Sequence, residues 1–194
     1  MIIIDHRRNT SELLKSTPQS LGVEVDIRSN KNRLILHHDP FKEGEDFESW
    51  LKNFKHKFLI LNVKEEGLES RVLSLLDKFS IKDFFFLDQS FPFLLKTLNS
   101  GESRLALRVS EYESIETALN LSSRVEWIWV DFFNKFPLDK ENYEKLCCLG
   151  YKLCLVSPEL QGFPEDAILT LKSFLDEHEL IPNAVCTKFP LLWK

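Results

Sequence analysis

The stretch Leu21-Gly22-Val23-Glu24-Val25-Asp26 places two carboxylates directly after a short apolar run. Two neighbouring runs end in the same way: Ile2-Ile3-Ile4 leads into Asp5-His6-Arg7, and Leu34-Ile35-Leu36 leads into His37-His38-Asp39-Pro40. Apolar runs of this length are typical of buried parallel strands. In a parallel barrel the carboxyl ends of the strands form the active face. The three runs therefore predict one surface that carries a histidine, two carboxylates and a second histidine.

Segments of strand and helix character alternate along the rest of the chain. Further strands are predicted at 58–64, 84–88, 105–109, 125–131, 152–156 and 184–187. Helices are predicted at 47–54, 68–79, 92–98, 114–121, 140–149 and 165–177. Buried strands that alternate with helices indicate a parallel α/β architecture.

The second and third strands are separated only by the turn residues Asn30-Lys31-Asn32, which predicts an antiparallel hairpin. The remaining segments make about eight β/α units, the number in a TIM-type barrel. We therefore predict an α/β fold, a single parallel (β/α)8 TIM-type barrel with trimmed helices and this extra hairpin, with residues 1–194 as one domain. An open doubly wound sheet is the alternative. A dinucleotide-binding fold is disfavoured, because no glycine-rich turn follows a predicted strand.

Composition and charge limit the partners that the protein can have. Hydrophobic residues make up 43% and charged residues 28%, as in soluble globular proteins. With 25 basic and 30 acidic residues the net charge is −5, which does not favour nucleic acid. The sequence shows neither a secretory leader nor a run near the ~18 apolar residues of a membrane span. We expect a cytoplasmic protein without a membrane span; the sequence does not indicate an oligomeric state.

The four cysteines indicate a reducing compartment. They are Cys147, Cys148, Cys154 and Cys186. Their spacing contains no CxxC motif, which disfavours a zinc site. We interpret them as buried free thiols.

The N-terminal motifs together resemble the glycerophosphodiester phosphodiesterase family, within the superfamily of phosphatidylinositol-specific phospholipase C-like barrels. That family opens with a strand ending in His-Arg-Gly and a nearby Asn-Thr, continues with Gly-x-x-Glu-x-Asp, and closes a hairpin with His-Asp. The matching residues are His6-Arg7, Asn9-Thr10, Gly22-x-Glu24-x-Asp26 and His38-Asp39. A later Glu-x-Lys corresponds to Asn62-Val63-Lys64, and a final Thr-Asp-x-Pro corresponds to Thr187-Lys188-Phe189-Pro190. Most of the match lies in residues 1–64.

The resemblance implies cleavage of a small phosphodiester by metal-assisted acid–base catalysis. The reaction needs a base for the nucleophile, an acid for the leaving alkoxide and positive charge on the phosphoryl oxygens. By resemblance, His6 and His38 are the catalytic pair, and Arg7 and Lys64 bind the substrate phosphate. The metal ligands are Glu24, Asp26 and Asn62, and the cation is Mg²⁺ or Ca²⁺, both of which accept carboxylate and amide oxygens. Glu24 and Asp26, two apart on a strand, point to the same side.

The chain departs from the family pattern at several positions. Arg8 stands in place of the family's glycine, Asn62 in place of the third metal-binding carboxylate, and Lys188 in place of an acid. The loop that carries a glutamate before Asn-Thr is missing. The amide of Asn62 brings no negative charge, so a cation would bind less tightly than at three carboxylates. The chain is thus a shortened, divergent version of the pattern.

Several candidate residues have a plain structural alternative. Glu24 and Asp26 could form a solvated hairpin edge, His38 could cap its strand, Asn62 could be a hydrogen-bonding strand end, and Lys64 could be an ordinary surface residue. The polar residues at later strand ends are Asp88, Arg108, Ser110, Glu111 and Asp131. In a barrel they would line the same mouth, and we include Arg108 and Glu111 among the substrate-binding candidates. Alternatively, Asp88 and Asp131 could cap the following helices.

Other conspicuous side chains are interpreted as structural. These are the aromatic residues Trp127, Trp129, Phe132 and Phe133, expected in the core and in helix packing, and the histidines His56 and His178, expected at the surface. Three functions then compete. The first is a metal-dependent phosphodiesterase. The second is a metal-free relative in which Arg8 or Lys188 replaces the ion, and the third is a degenerate barrel that binds a phosphorylated ligand or a protein partner without turnover.

Overall fold

The computed structural model describes residues 1–121 and 124–194 as an α/β protein. The strands are β1 (Ile2–Asp5), β2 (Gly22–Asn30), β3 (Arg33–Leu36), β4 (Glu45–Asp46), β5 (Phe58–Val63), β6 (Phe84–Leu87), β7 (Ala106–Val109), β8 (Trp127–Val130), β9 (Lys152–Val156) and β10 (Ala184–Thr187). The helices are α1 (Ser11–Ser16), α2 (Phe47–Leu51), α3 (Glu69–Lys78), α4 (Phe91–Asn99), α5 (Glu116–Asn120), α6 (Lys140–Cys148) and α7 (Asp166–Glu177). Two 3₁₀ turns lie at Pro158–Gln161 and Pro190–Trp193. The predicted alternation of strands and helices is confirmed.

The chain forms two compact units, which we describe separately. The first unit is residues 5–102, and its sheet is built on β2. Strands β2, β5 and β6 are parallel, with Asp26 opposite Asn62 and Asn62 opposite Leu87. On its other side β2 pairs with β3 in the predicted antiparallel hairpin, whose turn contains Lys31 at φ 53°. The short strand β4 extends the hairpin by pairing with β3.

The second unit comprises residues 1–4 and 103–194. Strands β7, β8, β9 and β10 pair in parallel in chain order, and β1 lies beside β10. Trp127 and Trp129 of β8 are buried, as predicted, and so is Phe132, whereas the Phe133 ring is 41% exposed. In both units the strands are almost wholly buried because apolar side chains cover both faces, the pattern expected of parallel sheets flanked by helices. Closure into a complete eight-stranded barrel and the single domain over residues 1–194 stay predictions.

The helices show local sequence signals at their ends and faces. Thr10 caps α1 by accepting a hydrogen bond from the backbone N–H of Leu13 at 3.2 Å, and Asp139 caps α6 in the same manner through Asn142 at 2.8 Å. In α3 the buried residues Val72 and Leu76 lie one turn apart. Over the described residues, none of the helices combines the length and the apolarity needed to cross a bilayer.

Besides the exposure of Phe133, two further structural expectations are wrong. His56 is buried rather than exposed, and its Nε2 lies 2.9 Å from the backbone carbonyl oxygen of Thr17, because the ring packs beside Phe54. Cys147 and Cys148 are free thiols but lie on the exposed side of α6, whereas Cys154 and Cys186 are buried as expected. Helix α6 packs through the face that carries Tyr143 and Leu146, and the two adjacent cysteines lie outside that face.

Candidate active site

Glu24 and Asp26 are buried side by side on β2. Each residue is only 1% exposed, so the interpretation as a solvated hairpin edge is wrong. They are two apart on a strand and therefore project from the same face. Burial of two carboxylates in one place is costly unless hydrogen bonds or cations compensate. Their partners thus define the site.

Glu24 is held by the segment that follows β1. The backbone of Arg7 adopts a left-handed conformation at φ 57°, and its N–H donates to Glu24 Oε2 at 2.8 Å. The Nε2 atom of His6 lies 3.7 Å from the same oxygen. Burial, and second the nearby charge of Asp26, raise the pKa of Glu24 to about 8, against smaller opposing effects of the Arg7 N–H, Lys64 and Asn62. A positive charge placed beside Glu24 would therefore stabilise the ionised form of its carboxyl.

Asp26 is the centre of a charged network. Its Oδ2 accepts a hydrogen bond from Asn9 Nδ2 at 2.8 Å and lies 3.3 Å from Arg7 Nε. The Asn9 Oδ1 in turn accepts from the backbone N–H of Asp26 at 2.9 Å. The Nζ of Lys64 lies 3.4 Å from Asp26 Oδ1. Arg7, Asn9 and Lys64 thus converge on one carboxylate, and Arg7 and Lys64 are both predicted phosphate-binding residues.

Asn62 lies directly beside these two carboxylates. It is opposite Asp26 in the β2–β5 register and is 8% exposed. Its Oδ1, together with Glu24 Oε1 and Asp26 Oδ1, is buried and has no hydrogen-bond partner among the described residues. We call these three atoms the open oxygens. They belong to the three predicted metal ligands.

The open oxygens fit a hard divalent cation. Mg²⁺ and Ca²⁺ are bound by carboxylate and amide oxygens, and each of these three side chains keeps one such oxygen outside the hydrogen-bond network. A buried acceptor without a partner costs about 1–3 kcal/mol, which a bound cation would recover at Glu24 and Asn62, whereas at Asp26 it would compete with the ammonium group of Lys64. Across residues 1–121 and 124–194 no cluster of three His, Cys, Asp or Glu side chains is arranged to hold a metal ion, so the donor set depends on the amide of Asn62.

Two cationic side chains extend the network along the strand ends. Lys64 Nζ lies 3.4 Å from Asp88 Oδ2 as well as from Asp26, so it bridges two acids. Arg28 donates to the backbone carbonyl of His38 from Nε at 3.0 Å and from Nη2 at 2.9 Å, and to that of Lys64 at 3.4 Å. Sequence reasoning missed Arg28, although its position two residues after Asp26 on the same face of β2 was an available signal. It ties together the two segments that carry candidate residues.

The two predicted catalytic histidines have different surroundings. The His6 side chain is 16% exposed and lies against Glu24. The His38 side chain is 43% exposed, and its Nδ1 lies 2.9 Å from Asp39 Oδ1. His38 also lines a surface cavity together with Arg7 and Asn9. The acid–base pairing of His6 and His38 stays a prediction.

Arg108 and Glu111 lie in the second unit. Arg108 Nη1 donates to Asp131 Oδ2 at 2.7 Å, and Gln161 Nε2 donates to Asp131 Oδ1 at 2.6 Å. Glu111 accepts from the backbone N–H groups of residues 133–135 at 2.6–3.4 Å. Desolvation would raise the pKa of Glu111, but these backbone donors outweigh it and lower the value to about 2. The role of Arg108 and Glu111 in substrate binding stays a prediction.

The remaining alternatives for single residues are decided by their contacts. Asp88 and Asp131 do not cap the helices that follow them, because the capping positions of α4 and α6 are occupied by Ser90 and Asp139. Of the two proposed replacements for a metal ion, Arg8 lies 3.4 Å from Asp5 Oδ1. The role of Lys188, which belongs to the second unit, stays a prediction. Within the first unit, Arg7 and Lys64 lie beside Asp26.

Solved structures with a similar fold include glycerophosphodiester phosphodiesterases. All of this chain aligns with 97% of the glycerophosphodiester phosphodiesterase from Agrobacterium tumefaciens, with a TM-score of 0.69 and 12% sequence identity. Likewise 98% of it aligns with 84% of a glycerophosphoryl diester phosphodiesterase from Parabacteroides distasonis, with a TM-score of 0.67 and 13% identity. No protein-family model matches the chain, and no curated protein matches it in sequence. The fold predicted from the N-terminal motifs is therefore confirmed: the chain has a glycerophosphodiester phosphodiesterase-like fold.

Proposed function

We propose that the protein hydrolyses a small, soluble glycerophosphodiester-like substrate with the help of a divalent cation and two histidines. The observation that carries the proposal is the group of open oxygens on Glu24, Asp26 and Asn62. They lie beside two cations, Arg7 and Lys64, that can hold a phosphate. The fold shared with glycerophosphodiester phosphodiesterases supports the same class of reaction.

In this proposal each side chain has a defined task. Arg7 and Lys64 bind the phosphate oxygens and orient the phosphorus for attack. One of the two histidines, His6 and His38, takes a proton from the attacking water, and the other donates a proton to the oxygen of the leaving alcohol. The P–O bond to the nucleophile forms as the P–O bond to the leaving alcohol breaks, so one proton is taken up and one is released.

Glu24, Asp26 and Asn62 would hold the divalent cation, Mg²⁺ or Ca²⁺, through their open oxygens. Bound there, the cation would stabilise negative charge on the phosphoryl oxygens. Asn9 keeps Asp26 oriented through two hydrogen bonds, and the N–H of Arg7 does the same for Glu24. Since both carboxylates are oriented before the ion binds, little side-chain entropy is lost on binding.

The test is hydrolysis of bis(p-nitrophenyl) phosphate with Mg²⁺, Ca²⁺ or Mn²⁺ and then with excess chelator. Wild type, His6→Ala and His56→Ala are compared, the last as a control histidine outside the network. Turnover that requires the metal and disappears only in His6→Ala would support the proposal. Turnover that persists in chelator would favour the metal-free mechanism, with Lys64 and Arg7 as the cations.

A second candidate is a barrel that binds a phosphorylated ligand without turnover. It is favoured by the amide of Asn62 at the position of a carboxylate and by Lys64, which already provides positive charge near Asp26. This candidate predicts that inorganic phosphate or glycerol 3-phosphate raises the melting temperature while no product forms. A Lys64→Met variant should lose that stabilisation, because the lysine would then be the principal phosphate contact.

A further inference from the structure

Arg8 stands where the family pattern has a glycine, and its side chain folds back over the residues that precede it. Its Nε donates to the backbone carbonyl oxygen of His6 at 3.0 Å, and its Nη2 lies 3.4 Å from Asp5 Oδ1. A glycine could make neither contact, because it has no side chain. The residue that departs from the family pattern therefore adds two contacts at the edge of the candidate site.

The backbone of Arg8 is anchored to two other segments of the first unit. Its N–H donates to the carbonyl oxygen of Glu24 on β2 at 2.8 Å. Its carbonyl oxygen accepts from Nε1 of Trp50 in α2 at 3.0 Å, and the Trp50 side chain is fully buried. Because both backbone groups are held, the guanidinium group contacts His6 from a fixed position.

The peptide between His6 and Arg7 is the element that the Arg8 side chain holds. In a trans peptide the C=O and the N–H point in opposite directions, and this peptide is trans. Arg8 Nε contacts the carbonyl end, and the N–H end, which belongs to Arg7, donates to Glu24 Oε2 at 2.8 Å. A rotation of the peptide would break both hydrogen bonds together. The Arg8 side chain therefore helps to keep the N–H on the carboxylate.

The conformation of Arg7 explains why the peptide needs to be held. Its φ is 57°, in the left-handed region that costs free energy in a residue with a side chain. A residue keeps such a conformation only where its surroundings enforce it. Arg8 acts on the carbonyl before Arg7 and Glu24 acts on the Arg7 N–H, so the two contacts together enforce the turn.

Asp5 keeps the guanidinium group in place. The Asp5 side chain is 10% exposed and the Arg8 side chain 22%, so the ion pair is largely shielded from solvent. Burial raises the pKa of Asp5, and the charge of Arg8 is the strongest effect in the opposite direction. Thr17 Oγ1 donates to Asp5 Oδ2 at 3.3 Å, which leaves Oδ1 to Arg8. Asp5 thus favours the orientation in which Arg8 reaches His6.

We propose that Arg8 is a positioning residue: by holding the His6–Arg7 peptide, it keeps the Arg7 N–H on Glu24 and fixes the backbone of His6. The catalytic consequence rests on the proposed function, whereas the orientation of the peptide can be measured without turnover. Glu24 carries one of the open oxygens, and His6 is a candidate for proton transfer. Loss of a group that orients a metal ligand typically lowers metal affinity or activity by about 10–100-fold.

The test compares wild type with Asp5→Asn and with the double variant Asp5→Asn/Arg8→Met. Asp5→Asn keeps the Arg8 donor on His6. The double variant removes this donor without leaving a charged, unpaired carboxylate at position 5. Arg33→Met, at an exposed arginine of β3, is the matched control.

Hydrogen exchange of the Arg7 amide, measured by NMR, reports the orientation of the peptide. We expect it to be about tenfold faster in the double variant than in Asp5→Asn, the effect of one weakened hydrogen bond. The Asp26 amide, which donates to Asn9 Oδ1 in the same site, should exchange at the wild-type rate. Local unfolding would accelerate both amides, so the difference between them separates positioning from a loss of structure.

Metal affinity and turnover give the second measurement. In the double variant the affinity for Mg²⁺ or Ca²⁺ and kcat for bis(p-nitrophenyl) phosphate should each fall about tenfold. KM should change little, because Arg7 and Lys64 still bind the phosphate. Asp5→Asn and Arg33→Met should resemble wild type in all of these properties.

The remaining outcomes decide against Arg8 or separate it from the proposed function. The proposal is overturned if the Arg7 amide exchanges at the wild-type rate in the double variant, if the Asp26 amide accelerates equally, or if metal affinity and kcat do not change. Should the double variant fail to fold, Arg8→Lys, which keeps the positive charge but lacks Nε, undergoes the same test. If wild type shows no turnover, the proposed function fails, and the exchange of the two amides still decides whether Arg8 holds the peptide.

Discussion

The Nζ atom of Lys64 lies 3.4 Å from Oδ1 of Asp26, one of the open oxygens. A lysine at this distance compensates the buried carboxylate, which costs less than burying the charge alone. The same lysine would compete with a divalent cation for that oxygen. The pair Asp26–Lys64 therefore links the proposed metal position to the proposed phosphate position.

We predict that Lys64→Met separates metal affinity from turnover. Removal of the competing positive charge should raise the affinity for Mg²⁺ or Ca²⁺ roughly tenfold or more. Loss of the phosphate contact should at the same time lower kcat/KM by about 100-fold. Calorimetric titration of the metal and steady-state kinetics measure the two effects. Lys55→Met, at an exposed lysine, is the control, and an unchanged metal affinity in Lys64→Met would contradict the competition.

Asn62→Asp should restore a third carboxylate beside Glu24 and Asp26. The added negative charge should increase the affinity for Mg²⁺ and Ca²⁺, since charge count sets the strength of such sites. Without metal, like-charge repulsion in a buried site should lower the free energy of unfolding by roughly 1–3 kcal/mol. Urea denaturation with chelator measures the loss of stability, and the additional stability in Ca²⁺ measures the gain in metal affinity.

Asn62→Ala is the matched control for that experiment, because it removes the ligand oxygen without adding charge. It should weaken metal binding where Asn62→Asp strengthens it. If both variants bind the metal as wild type does, Asn62 is not a ligand.

The titration of Glu24 should make the metal-free protein less stable as the pH rises. In the folded chain burial, and then Asp26, raise the pKa of Glu24 from 4.5 to about 8. Between these values the unfolded chain has released the proton and the folded chain retains it, so the free energy of unfolding falls with increasing pH. The slope is at most about 1.4 kcal/mol per pH unit.

Urea denaturation in the presence of chelator, from about pH 5 to about pH 8, measures this decline. These limits lie near the pKa values of Glu24 in the unfolded and the folded chain. Glu24→Gln should flatten it, because the amide does not titrate. Glu66→Gln, at an exposed glutamate, should leave it intact. A decline that is equally steep in Glu24→Gln would assign the effect to other groups.

Asp39 should act through His38. The hydrogen bond between His38 Nδ1 and Asp39 Oδ1, which lie 2.9 Å apart, is the main cause that lowers the pKa of Asp39. Asp39→Asn should lower kcat about tenfold, because a carboxylate partner holds the imidazole in the orientation needed for proton transfer. The double variant with His38→Ala should be no slower than His38→Ala alone. Fully additive losses would show that Asp39 acts independently of His38.

Glu111 should hold the loop after β8 in place. Its carboxylate accepts from three consecutive backbone N–H groups, at residues 133–135. Glu111→Gln should therefore accelerate hydrogen exchange of these amides, and Glu116→Gln, on exposed α5, should not. In wild type the protection should persist above pH 4.5, the ordinary pKa, and be lost as the pH falls towards 2, because the folded pKa is depressed. NMR exchange rates measure both effects.

Parts of the candidate site follow directly from local sequence patterns. The spacing of Glu24 and Asp26 predicts that they share a face, because successive side chains of a strand alternate, and the structure has both on one buried face. The order of apolar runs and helical segments likewise predicts the alternation of strands and helices, because hydrophobic periodicity depends only on residues that are close in sequence. The burial of His56 was not predictable, since its charged sequence neighbours indicate a surface position.

The order of the strands and helices and the residue types at the strand ends follow from the amino-acid sequence alone, because hydrophobic periodicity and strand alternation act over a few residues. Which oxygen of each carboxylate accepts a hydrogen bond, and the turn that directs the Arg7 N–H onto Glu24, depend on the packed structure. The same holds for Gln89, whose amide is oriented by Glu69 and Thr97, 20 and 8 residues away. Hydrogen bonds between distant segments depend on the packed strands, and no local pattern encodes them.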